Sequence, residues 1–185
     1  MFTRRRPVAS IPALYGTIVA QARSPIFYTE YAVPDTVNGR FDMIVLHLAL
    51  LTDRTEIEGA ELRMLGQDLF DHFCQEMDDN LREMGIGDLK VPREMQKVAE
   101  AFYGRRVAYR SALAQTGDGA LTAVLVRNVY CGAVDRAPQA SRLAAYVRTA
   151  VHALAAQTGL RDGALAWPDP HAISAIDAND AGISP

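Results

Sequence analysis

His72 and Glu76 stand four residues apart, so on a helix they share one face, the spacing by which two side chains can grip one metal ion. A coordination sphere needs a second such pair or a cysteine cluster, and neither occurs in the sequence, so no metal is expected. The adjacent Asp78 and Asp79 resemble carboxylates that hold magnesium, but a site for a dication and a diphosphate needs a further carboxylate one turn on, where Arg82 stands. Gly104 followed by Arg105 and Arg106 could attract an anion, yet no strand precedes it and no glycine-rich cradle surrounds it. Cys74 could act as a nucleophile with His47 or His72, although a half-buried structural cysteine is the commoner state. The four histidines are scattered and suggest no triad. Nothing in these spacings demands catalysis, and neither a catalytic residue nor a cofactor is expected. The alternative is a small all-helical ligand-binding protein or enzyme built on His72, Glu76 and Asp79.

Most of these residues lie on two long amphipathic segments. In the first, Leu62, Leu65, Leu69, Phe73, Met77, Leu81 and Met84 recur at spacings of three and four and draw one apolar stripe down a helix. Asp68, Asp71, Glu76, Asp78, Asp79 and Glu83 make it acidic. In the second, Val91, Met95, Val98, Phe102, Tyr109 and Leu113 form another stripe, flanked by Lys90, Arg93, Lys97, Arg105, Arg106 and Arg110. Between them, Gly85 and Gly87 are expected to supply positive φ angles, Asp88 to cap the second helix and Pro92 to occupy its first turn. The result is a helical hairpin with one acidic and one basic arm. Those faces can pair with each other across the hairpin. Alternatively, their unpaired parts, with Tyr103 and Tyr109 between them, form a groove that holds another protein.

The remaining chain supports that hairpin. Ala13 to Arg23 is a short amphipathic helix stopped by Ser24-Pro25. Ile26 to Val33 is expected to be an extended loop whose aromatic rings cover the helical core. Asp35 or Thr36 can cap the next helix, which is apolar on most sides through Phe41 to Leu51 and therefore central. Gly39 within it costs about 1 kcal/mol relative to alanine in a helix interior, which points to close packing or a late helix start. Asp53 to Gly59 is expected to be a polar connection, with Glu56 and Glu58 at the start of the acidic helix. After the loop Gln115 to Gly119, helices are expected over Ala120 to Cys131 and Gln139 to Gln157. The fold class is all-α: a single compact domain of about six helices over residues 13–160, a flexible arm at 1–12 and an irregular tail at 161–185, with Leu165 and Trp167 docked.

Composition narrows the function classes. A length of 185 residues suits one core. The net charge of −3 argues against a module that must neutralise nucleic-acid phosphates. Two cysteines without paired spacing fit a reducing cytoplasm. The apolar run Met43 to Leu51 falls short of the roughly 20 residues that a membrane span needs. Three arginines near the N-terminus precede no long apolar core, so no secretory signal is expected. Lys90 and Lys97 are the only lysines while arginine and alanine abound, the usage of a GC-rich bacterial gene.

The run LFDHFCQEMDDNLREMGIGDLKVPREMQKVAEAFYGRRVAY resembles the central signature of the ubiquinol-cytochrome c chaperone family, and VNGRFDMIVLHLAL resembles the helix that precedes it there. The likeness extends from about Pro25 to Cys131. It implies an all-helical chaperone, not an enzyme, that binds newly made cytochrome b and assists assembly of the cytochrome bc1 complex, ubiquinol-cytochrome c reductase. It also implies mitochondrial relatives that work with a small partner protein near the ribosomal tunnel exit. For this chain the expected setting is the bacterial cytoplasm, peripheral to the inner membrane through its client. The expected partner-binding residues are Asp71, His72, Glu76, Asp79 and Arg82 on the acidic arm and Lys97, Tyr103, Arg105, Arg106 and Tyr109 on the basic arm.

Overall fold

The computed structural model describes residues 11–57, 59–160 and 163–173. The arginines of the N-terminal arm, Glu58 and the end of the tail lie outside the described residues. Seven α-helices follow in order: α1 (Ile11–Ala22), α2 (Pro25–Thr29), α3 (Val37–Ile57), α4 (Ala60–Glu83), α5 (Val91–Leu113), α6 (Gly119–Asn128) and α7 (Ala137–Ala156). Single 3-10 turns lie at Val134–Arg136 and Pro170–Ala172, and no strand occurs among the described residues. The all-α expectation holds. Six of the α-helices have ten residues or more, and α2 has five.

The central helix is α3, which packs against α1, α4, α5 and α7. Every residue from Met43 to Leu51 is buried, as expected of a helix apolar on most sides. The Thr36 hydroxyl accepts the Gly39 N–H at 3.1 Å, the cap expected at its start. A Cβ on Gly39 would stand 1.9 Å from the Pro34 carbonyl oxygen, so close backbone approach accounts for this glycine. At its other end α3 runs four residues beyond Asp53. The expected polar connection is therefore its last turns, and Glu56 lies near the end of α3, not at the start of α4. Charge there marks ion pairing, described below, and Arg54 is buried with its Nε donating to the Leu154 carbonyl at 2.9 Å near the end of α7.

The segment expected to be extended after Pro25 is instead the short helix α2, with proline in its first turn. Phe27 and Tyr31 go into the core against Tyr146, with Phe27 and Tyr146 ring centroids 4.9 Å apart.

The hairpin forms as its periodicity indicates, with Leu62, Leu69 and Phe73 of α4 and Val91, Phe102 and Tyr109 of α5 buried. Its turn uses one glycine. Gly85, at φ 81°, donates to the Arg82 carbonyl at 2.9 Å, and Ile86 donates to the Leu81 carbonyl at 3.1 Å, a Schellman closure. Gly87 does not adopt positive φ; its carbonyl accepts from Lys90 N–H at 2.8 Å. Asp88 does not cap α5 and pairs with Arg82 instead, while Pro92 occupies the first turn of α5 as expected.

The described tail crosses the core. Gln157 holds Ala166 through two hydrogen bonds of 2.8 and 2.9 Å, Tyr31 donates its hydroxyl to the Pro170 carbonyl at 2.8 Å, and Gln21 donates to the Pro168 carbonyl at 3.2 Å. Leu165 and Trp167 pack partly buried on the core, as expected.

Candidate functional site

The α4–α5 hairpin carries all ten expected binding residues, but the fold separates them into groups. Asp71 and Asp79 are exposed on the outward face of α4, and Asp71 accepts from Gln67 at 2.8 Å. His72 turns toward α1, where its ring meets Tyr15 edge-on at 5.1 Å. Glu76 is exposed on the same flank, and burial together with the Glu76 charge pushes the Tyr15 phenol up to about 12. Arg82 bridges Asp78, at 2.6 Å, and Asp88, so it ties α4 to the turn. Among the described residues no three His, Cys, Asp or Glu side chains gather as metal ligands. Cys74 is half-buried, and burial raises its thiol pKa.

On α5, Tyr103 is 47% exposed and lies over Phe70 at 5.1 Å, at the lip of a cleft of about 210 Å³ between α3, α4 and α5. Arg106 and Thr55 line the same cleft. Lys97 and Arg105 line a different cleft, of about 400 Å³, where the start of α3 meets α5 and the end of α6. Lys97 donates to Glu94 at 2.8 Å. Tyr109 belongs to neither surface: it is 1% exposed and lies in the core. Its position on the apolar stripe carried that signal, and its place in a binding groove is corrected.

Ion pairing also departs from the expected pairing of the two arms across the hairpin. The basic arm does not neutralise the acidic arm; it clamps the central helix. Arg105 reaches Asp42 at 2.7 Å, Arg106 reaches Asp53 at 2.5 Å and also pairs with Glu56, and Arg110 binds Asp53 at 2.5 Å and Glu56 at 2.6 Å. Hydrogen bonds from Arg106 and Arg110 hold the Glu56 carboxyl below the usual carboxylate range. Asp42, Asp53 and Glu56 are thus the partners of the basic arm that sequence reasoning did not identify. Asp42 could have been found, because a carboxylate inside an otherwise apolar helix requires a partner. With the arginines engaged on α3, Asp68, Asp71, Glu76, Asp79 and Glu83 leave the outward side of α4 as an acidic strip, without ion pairs among the described residues.

A model of the ubiquinol-cytochrome C chaperone family matches residues 29–167, which spans α3 to α7 and reaches Trp167. The chain belongs to that family. Among its relatives, ubiquinol-cytochrome-c reductase complex assembly factor 1 of Xenopus laevis is 25% identical over 157 residues, covering 83% of this chain and 78% of the frog protein. The Drosophila melanogaster protein of the same name is 27% identical over 151 residues, covering 79% of this chain and 58% of the fly protein. The crystal structure of the Cbp3 homolog from Brucella abortus superposes with a TM-score of 0.81 at 37% identity, covering 89% of this chain and 91% of that one. The hairpin and the clamped central helix are therefore features of a ubiquinol-cytochrome C chaperone.

Proposed function

We propose that this chaperone binds newly made cytochrome b and assists assembly of the ubiquinol-cytochrome c reductase complex, acting in the bacterial cytoplasm at the inner membrane through its client. Family membership supports the assembly role. The observation that supports the binding mode is the acidic strip on the outward side of α4, with Tyr103 exposed elsewhere on the hairpin over Phe70. Loops on the cytoplasmic side of membrane proteins carry an excess of Lys and Arg, so an acidic strip complements them in charge. Among the described residues no helix is long and apolar enough to cross a membrane, so the client supplies the membrane contact in this reading. The binding residues reduce to Asp71, Glu76, Asp79 and Tyr103, with His72, Arg82 and Lys97 at their margins. Arg105 and Arg106 act by holding α3.

Photocrosslinking side chains placed at Asp71, Asp79 and Tyr103 should each capture cytochrome b in cells making the complex, while the same group at the buried Phe73 should not. Capture at none of the three surface positions overturns the client assignment. Reversing Asp71 and Asp79 to lysine should lower the amount of assembled complex with the thermal midpoint retained, because neither side chain supports the fold.

A further inference from the structure

Residues 163–173 cross the molecule as a strap that the helices hold largely by its main chain. The Gln157 side-chain amide takes both backbone groups of Ala166, accepting from its N–H at 2.9 Å and donating to its carbonyl at 2.8 Å. Gln21 donates to the Pro168 carbonyl at 3.2 Å, and the Tyr31 hydroxyl donates to the Pro170 carbonyl at 2.8 Å. Residues 166, 168 and 170 alternate, and Pro168 and Pro170 carry no N–H that would need a partner there. The side chains between them, Leu165 and Trp167, pack on the core, with the Trp167 ring against His47 at 4.9 Å. Main-chain bonds that alternate with seats for side chains are the way in which a groove holds an extended peptide.

The strap fills that groove imperfectly. Both His47 nitrogens are engaged, one with the Met43 carbonyl and one with the Tyr146 hydroxyl, so neither is left to accept from the indole. Trp167 Nε1 is buried without a hydrogen-bond partner among the described residues, a cost that a phenyl ring in the same seat would not carry. Gly163, at φ 77°, donates to the Leu160 carbonyl at 3.2 Å and closes the turn that leads into the strap, a place where a hinge can absorb a change of direction. We propose that the groove under the strap is a docking site for an extended segment of a partner protein, with an aromatic side chain in the Trp167 seat and backbone carbonyls one and three residues beyond it, and that the strap holds the groove until this segment displaces it. The groove is formed by α1, α3, α7 and the residue Tyr31 after α2, and it does not depend on the identity of the client.

The test adds a dye-labelled peptide with the sequence of residues 163–173, GALAWPDPHAI, to the full chain and follows its anisotropy. Trp167→Ala in the chain weakens the tethered competitor, so that protein should bind the peptide about tenfold more tightly than the wild type, and the peptide should raise its thermal midpoint. A Trp167→Phe peptide should bind about tenfold more tightly again, because no buried N–H is left unpaired, and a Trp167→Ala peptide should not saturate. Adding Gln157→Ala to the Trp167→Ala chain should weaken binding by about tenfold, with circular dichroism to verify folding. In the wild-type chain the Trp167→Phe peptide should expose the Ala166 amide to hydrogen exchange, a reading that stands even where Trp167→Ala does not fold. No saturable binding and no change in Ala166 exchange, or equal affinity for the Trp167→Ala peptide, overturns the proposal. So does a dimer that forms as protein concentration rises and loses peptide binding, since the groove then belongs to the strap of a second copy.

Discussion

Asp42 and His47 lie five residues apart on the central helix and titrate in opposite senses. His47 is 0% exposed; its Nδ1 must donate to the Met43 carbonyl at 2.8 Å, so its Nε2 accepts from the Tyr146 hydroxyl at 2.8 Å. Burial of this neutral ring lowers its pKa from 6.5 to about 4. Between those values the unfolded chain binds the extra proton, so the His47 contribution is present above pH 6.5 and is lost as pH falls toward 4. Burial lifts Asp42 from 3.8 to about 6 against the pull of Arg105. Here the folded chain binds the extra proton, so the Asp42 contribution is present below pH 3.8 and is lost as pH rises toward 6. Each effect is roughly 3 kcal/mol over its window, and across pH 4 to 6 they oppose each other. Wild-type stability should therefore vary little there, whereas Asp42→Asn should gain stability steeply as pH rises, as measured by urea midpoints at intervals across that range. A flat profile in that variant removes this account of His47. At this scale the sequence announces the unusual residues, a histidine and a carboxylate in an apolar run, and withholds their partners, since Tyr146 and Arg105 come from helices distant in the chain.

Periodicity makes the long helices legible, because a stripe at spacings of three and four needs no knowledge of what it packs against. The five-residue α2 is too short to show a period, and the last turns of α3 resemble a loop because they are charged. Pairing is harder to foresee: Arg106 and Arg110 could have faced α4, and only the packing of α5 onto α3 decides for Asp53 and Glu56. Two predictions belong to these contacts. Asp53 is 20% exposed and accepts from both Arg106 and Arg110, so Asp53→Asn should cost roughly 2 kcal/mol, while Asp79→Asn on the outward strip should stay within about 0.5 kcal/mol, both read from denaturant melts. A Cβ on Gly66 of α4 would meet Thr55 Oγ1 at 2.2 Å, and that hydroxyl is held by its 2.8 Å bond to the Thr52 carbonyl. Gly66→Ala should therefore destabilise the protein by about 1–3 kcal/mol despite the better helix propensity of alanine, and a stabilised variant would show that α3 and α4 can separate freely.

Across the whole molecule, the described tail joins elements that lie far apart in the chain. It binds α1 through Gln21, the segment after α2 through Tyr31, α3 through the ring contact of Trp167 with His47 at 4.9 Å, and α7 through the Gln157 side chain. Its proline and glycine content made it legible as irregular, and Leu165 and Trp167 as its docked residues; its path over His47 depends on the finished core and was not legible. Trp167→Ala should lower stability by roughly 2 kcal/mol in melts followed by helicity, and an unchanged midpoint would mean that the strap only decorates the core. Trp167 is also the sole tryptophan in the chain. Indole emission from the unlabelled protein thus arises at one seam, where the strap meets the central helix, and a fluorimeter can follow that seam opening while circular dichroism follows the helices themselves.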